Sequence, residues 1–112
     1  MGIRIYIDDL RDPSTEEFDY ICRNDRMFDK IIDCCVFYGI TIDYISFDHD
    51  LGNNSEDGYT ITKRLVDLEL SGFKLLSDDF TFNVHSANPV GSKNIESYLN
   101  NYLKHKTESK NL

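Results

Sequence analysis

With 112 residues, 20 Asp plus Glu against 12 Lys plus Arg and a formal net charge of −8, the chain has the size of one domain and repels a phosphate backbone unless a local cation compensates. No apolar run approaches the ~20 residues of a membrane-spanning helix, so the expectation excludes a membrane protein and a non-specific coat for duplex DNA. Residues 1–7 lack the apolar stretch and small-residue cleavage site of a secretory signal, and the expected compartment is the cytoplasm.

Ile3, Ile5 and Ile7 alternate with Arg4 and Tyr6 and stop at Asp8-Asp9, the pattern of a strand that opens the domain. Residues 10–14 read as a loop and residues 18–22 as a short second strand. Asn24 or Asp25 is placed to cap a helix carrying Met27, Phe28, Ile31, Ile32, Cys35 and Val36 at helical spacing, with Gly39 to end it. Residues 40–47, dense in Ile, Tyr and Phe, predict a buried third strand that again ends in acid, at Asp48-His49-Asp50. A loop over residues 52–58 leads to a second helix marked by Tyr59, Ile61, Leu65 and Leu68, which stops near Gly72.

Residues 80–86 alternate as a fourth strand, and the polar Thr81 and Asn83 face marks it as an edge strand, with His85 on that same face. From Ser92, positions Ile95, Tyr98, Leu99, Tyr102 and Leu103 mark a third helix. The reading is one domain over residues 1–106 followed by a flexible tail over residues 107–112. Cys22, Cys34 and Cys35 form an odd set without a CxxC spacing, which predicts reduced, buried fillers.

Strands alternating with helices predict a parallel α/β sheet with right-handed crossovers and helices over both faces. Ligands bind such sheets beyond the carboxyl ends of the strands. Those ends carry Asp8 and Asp9, then Asp48 to Asp50, then His85 to Asn88, and they are expected to meet in space.

Two acids after the first strand and two after a neighbour repel one another unless a cation intervenes. Asp8, Asp9, Asp48 and Asp50 are the candidate metal ligands, for Mg²⁺ or Mn²⁺ first, and for a transition metal if imidazole joins them. His49 and His85 are the candidate acids or bases. Arg11 is the candidate phosphate clamp, and Ser92 and Lys93, with the backbone N–H groups at the start of the third helix, are placed to hold an anion. Turn and cap chemistry explains each acid pair taken singly, but it does not explain His85-Ser86-Ala87-Asn88-Pro89 at a third strand end. No P-loop, GxSxG, HExxH, GxGxxG or zinc spacing occurs.

Taken in order, Asp8-Asp9-Leu10-Arg11, Ser46-Phe47-Asp48-His49-Asp50-Leu51-Gly52, Asp57-Gly58-Tyr59 and His85-Ser86-Ala87-Asn88-Pro89-Val90-Gly91 resemble the divergent receiver domains that process cyclic phosphates. The resemblance spans roughly residues 3–103. It implies a receiver-like (flavodoxin-like) three-layer sandwich with a sheet of about four strands in order 2-1-3-4. Two parts of the receiver pattern are missing, the fifth strand with its Lys and the helix between the first two strands. By strand position Asp48 matches the receiver phosphoacceptor, whereas Asp50 matches it by its ungapped distance of eight residues to Gly58. Ser86 falls at the receiver switch position, and Ser86 and Asn88 are expected to orient phosphate beside Arg11.

The leading functional expectation is metal-dependent, phosphoesterase-type hydrolysis, or recognition, of a cyclic phosphate in an RNA end or a cyclic nucleotide. Two alternatives stand beside it: a module that binds such a phosphate without turnover, and a pseudo-receiver that acts through contacts with a protein partner.

Overall fold

Ile3, Ile5 and Ile7 project to one side of an extended segment and Arg4 and Tyr6 to the other, and in the computed structural model, which describes residues 2–14 and 17–110, they form β1 (Ile3–Ile7). β2 (Tyr20–Cys22), β3 (Ile42–Phe47) and β4 (Leu76–Val84) join it in a four-stranded sheet of order β2-β1-β3-β4, with every neighbouring pair parallel. This is the expected receiver-like order, with β4 as the expected edge strand. Tyr6 pairs with Ser46 and Ser46 with Asn83, while Ile5, Ile45 and Phe82 form the adjacent row. Alternation along each strand therefore gives the sheet one face that carries polar groups and tyrosines and one that is apolar.

The helices are α1 (Asp25–Tyr38), α2 (Gly58–Leu70) and α3 (Pro89–Lys110). Asn24 caps α1 by accepting the Met27 N–H at 2.9 Å, and Gly39, at φ 69°, ends it in the left-handed region that glycine adopts without strain. Asp57 caps α2 through the Thr60 N–H. The third helix begins at Pro89 rather than Ser92, because proline suits a first turn and the Asn88 side chain accepts the Gly91 N–H at 2.9 Å. It also continues through residues 107–110, where the sequence predicts a tail; residues 111 and 112 lie outside the described residues. β4 starts at Leu76, earlier than the predicted residue 80. Asp78 and Asp79 hide its alternation, and the register slips between the Ile42–Leu76 and Tyr44–Thr81 pairs. No helix among the described residues is long and apolar enough to cross a membrane.

Helical cover of both faces, expected from the alternating elements, is corrected. Phe28, Ile32 and Cys35 of α1, Ile61 and Leu65 of α2, and Ile95 and Leu99 of α3 enter one core with Ile5, Ile7, Ile45 and Phe47. The connections β2 to β3 and β3 to β4 step across the sheet in the same direction, and right-handed crossovers then place their helices on one face. Only β1 to β2 steps the other way, and the described residues of that connection contain no helix. The remaining layer is a loop: Phe18 packs on Tyr6 and Tyr44 with ring centroids 5.2 and 5.9 Å apart, and Arg4 lies 4.4 Å from the Tyr44 ring centre. Thr81 and Asn83 stay exposed. Cys22 and Cys35 are buried as expected, and burial pushes the Cys22 thiol up to about 12. Cys34 is exposed, since adjacent residues of a helix point ~100° apart.

Glu69 ties the far ends of three elements together. Its nearly buried carboxylate accepts from the Leu75 and Leu76 N–H groups at 2.6 and 2.9 Å, the Tyr102 hydroxyl at 2.7 Å and Lys106 Nζ at 3.1 Å. Burial opposes its ionisation, but these donors outweigh it and hold the carboxyl below its ordinary value. The stabilisation is therefore whole above about pH 4.3 and fades as pH falls through the lower folded-state value. Glu69→Gln is expected to lower the unfolding free energy by about 2–3 kcal/mol at pH 7 in urea, with the gap from wild type closing as pH falls below the ordinary carboxylate range. A gap that does not change with pH would assign the loss to packing instead of charge.

Candidate functional site

Three backbone hydrogen bonds continue the sheet one residue past its strands. Asp8 N donates to Cys22 O at 3.1 Å, Asp48 N to Ile7 O at 2.9 Å and His85 N to Phe47 O at 2.9 Å. They hold Asp8, Asp48 and His85 level with one another, and alternation turns all three towards the face of Tyr6, Ser46 and Asn83. The three strand ends singled out by the sequence do meet.

Asp8 is fully buried and fully bonded. Its Oδ1 accepts the Leu10 and Arg11 N–H groups at 2.9 and 2.8 Å, and its Oδ2 accepts Arg11 Nε at 2.9 Å and His85 Nε2 at 3.0 Å. Burial works against ionisation of Asp8, yet these donors outweigh it and hold the carboxyl below the usual carboxylate range. Arg11 Nη2 also approaches Asp48 Oδ2 at 3.6 Å, so one guanidinium bridges the two buried acids. Asp8, reinforced by Asp48, pushes the Arg11 guanidinium up in turn.

Beside this bridge opens a cavity of about 210 Å³, walled by Tyr6, Arg11, Phe18, Ser46, Asn83 and His85. The site lies on the loop-covered side of the sheet, at the end where parallel sheets bind ligands. Tyr6, Ser46, Asn83 and Phe18 are lining residues that the motif reading missed. The period-two pattern already places Tyr6 behind Asp8 and Ser46 behind Asp48, but their place on the cavity wall follows only because no helix among the described residues covers that face.

Asp8, Asp9 and Asp48 each bring a carboxylate oxygen within 4.8 Å of the others. Among the described residues no donor engages the Asp9 carboxylate, and neither imidazole belongs to the group. This all-oxygen set fits a hard divalent ion, with Arg11 competing for Asp8. Asp50 is not part of it. Its exposed carboxylate bonds His49 Nδ1 at 2.8 Å and faces Asn88 Nδ2 at 3.5 Å, while His49 Nε2 lies 3.7 Å from Asp57. A Cβ on Gly91 would sit 2.3 Å from the His49 ring, and one on Gly58 would sit 2.2 Å from Asp48 O. Both motif glycines thus permit close packing behind the acids.

The other expected phosphate ligands form the start of α3. Ser86 Oγ accepts the Asn88 N–H at 3.1 Å, Asn88 Oδ1 accepts the Gly91 N–H, and Ser92 Oγ donates to Ser86 O at 3.4 Å. Lys93 is exposed. None of Ser86, Asn88, Ser92 and Lys93 lines the cavity.

The family model of the cyclic-phosphate processing Receiver domain matches residues 3–101, and the chain belongs to that family. No curated protein and no solved structure shows a detectable match.

Because the Asp8 carboxyl is held low, its contribution to stability is present above about pH 3.9 and is lost as pH falls through its folded-state value. Asp8→Asn sets an amide N–H against Arg11 and leaves the guanidinium without its closest partner. The variant is expected to be about 2–3 kcal/mol less stable at pH 7 and to lose less stability than wild type on acidification, both read by urea unfolding. Parallel pH profiles for the two proteins would contradict the charge bridge.

Proposed function

We propose that this member of the cyclic-phosphate processing receiver family binds a cyclic phosphate carried by a nucleotide or an RNA end in the cavity beside Asp8, and hydrolyses the ring to a monoester. One observation carries the reading. In a chain of net charge −8, the Arg11 guanidinium and the His85 imidazole converge on one small cavity at the carboxyl end of the sheet. An acidic protein attracts an anion only where a cation is presented, and Arg11 is a fork suited to phosphoryl oxygens, with the His85 imidazole beside it.

Asp8, Asp9 and Asp48 would hold Mg²⁺ or Mn²⁺, and that ion would neutralise phosphoryl oxygens and polarise the phosphorus. A transition metal fits less well, since neither imidazole joins the acids. Arg11 is more than half exposed beside the cavity, and swinging from Asp8 towards a phosphate would exchange one anionic partner for another. Phe18 and Tyr6 supply an apolar wall for the rest of a nucleotide. His85, not His49, supplies the imidazole on this side of the acids.

A second reading, capture without turnover, is supported by the saturation of Asp8, whose two carboxylate oxygens already accept from the protein's own donors. Phosphorus NMR separates the two. A panel of nucleoside 2′,3′-cyclic phosphates and cyclic oligonucleotides, incubated with protein and Mg²⁺ or Mn²⁺, is expected to convert to monoester resonances, and Asp48→Asn is expected to raise the metal concentration needed by tenfold or more. Broadened but unconverted resonances with either metal would establish capture and overturn hydrolysis.

A further inference from the structure

Both nitrogens of His85 are engaged within the protein: Nε2 lies 3.0 Å from Asp8 Oδ2, and Nδ1 lies 2.7 Å from Ser46 Oγ. In the neutral imidazole with Nε2 donating to Asp8, the Nδ1 lone pair accepts the proton of the Ser46 hydroxyl. The Tyr6 ring stacks on the imidazole at a centroid distance of 4.7 Å and an angle of 3°. Turning the imidazole would break its contacts with Asp8, Ser46 and Tyr6 together. Ser46 is buried from bulk solvent, yet it lines the cavity with Arg11. A base whose two nitrogens are both occupied meets a substrate only through the group between them, and here that group is the Ser46 hydroxyl.

We propose that Ser46 is a nucleophile, activated by His85 and oriented through Asp8, that opens the cyclic phosphate by forming a covalent bond to phosphorus. Hydroxyl, imidazole and carboxylate stand in the order of an activated serine, with the two ring nitrogens interchanged relative to the protease arrangement. The choice of substrate rests on the proposed function; the activation of Ser46 does not. In the first step a bond forms between Ser46 Oγ and phosphorus, one ring P–O bond breaks, and the serine proton passes to His85 Nδ1 and on to the departing ring oxygen. The nucleotide is then held to Ser46 as an acyclic phosphodiester. Water next attacks phosphorus and gives its proton to His85, the bond between Ser46 Oγ and phosphorus breaks, and the proton returns to Ser46. The product is a phosphomonoester, and no oxidant or further co-reactant is consumed. Arg11 is positioned to hold the non-bridging oxygens in both steps.

An alkyl fluorophosphonate tests the nucleophile without any cyclic phosphate, because attack at its phosphorus expels fluoride and leaves a stable serine adduct. Intact-mass and peptide-mass analysis of the wild-type chain is expected to show one adduct, on the peptide containing Ser46. Ser46→Ala is expected to abolish it, and His85→Gln to slow labelling by ~10² or more. A Ser46 that stays unlabelled, or one labelled equally fast in His85→Gln, overturns the proposal and leaves Ser46 as the residue that fixes the His85 tautomer. Labelled Ser46 with cyclic phosphates untouched overturns the proposed function but supports the nucleophile. Hydrolysis of a cyclic phosphate by a protein that does not label overturns the nucleophile alone.

Discussion

The site depends on hydrogen bonds that carry the parallel ladder one residue beyond the strands. Asp48 N to Ile7 O and His85 N to Phe47 O lock two strand ends to their neighbours, and Asp8 N to Cys22 O locks the third. A slip of one residue in any of these pairings would turn the corresponding side chain to the apolar face, because side chains alternate. The core prevents such a slip. Ile5, Ile7, Ile45 and Phe47 are fully buried against the helices, and a shifted register would exchange them for Arg4, Tyr6, Tyr44 and Ser46. Fully burying each such side chain is worth about 1.5–3 kcal/mol, so the packing on one face of the sheet fixes the chemistry on the other.

That other face is available because of topology. A helix between β1 and β2 would lie over Tyr6 and Ser46 and fill the space beside His85. A loop in its place covers the face with Phe18 and leaves a cavity of about 210 Å³ where Arg11 enters. Arg11 connects fold and function. It belongs to the same loop, it pairs with Asp8 and approaches Asp48, and it lines the cavity. Arg11 offsets part of the repulsion among the clustered acids, pairing with Asp8 and approaching Asp48, and a divalent ion at Asp8, Asp9 and Asp48 would bind in competition with it.

Much of this is legible in the sequence where local rules act. Alternating isoleucines mark β1, Asn24 and Gly39 bracket α1, and acids closing two apolar runs locate the strand ends at which the site forms. Three kinds of feature escape such rules. Asp48 and Asp50 are equivalent as letters in a motif, and only the turn after β3 sends one to the buried acids and the other to His49. Ser86, Asn88 and Ser92 carry phosphate-binding chemistry in principle, yet their side chains are consumed by the first turn of α3. Glu69 joins α2 to the start of β4 and to α3 through Leu76, Tyr102 and Lys106, contacts that no local pattern reveals. Ser46 falls between these cases: its face is readable from alternation, but its partner across the sheet is not.

The central claim is that ligand enters the cavity under the loop and not the N-terminus of α3. Backbone amide NMR of nitrogen-15-labelled protein, titrated with a nucleoside 2′,3′-cyclic phosphate and Mg²⁺, tests it most directly. Shifts are expected to concentrate at residues 10–14, at Ser46 and at residues 83–85. Shifts confined to residues 88–93, with the cavity amides unmoved, would contradict it.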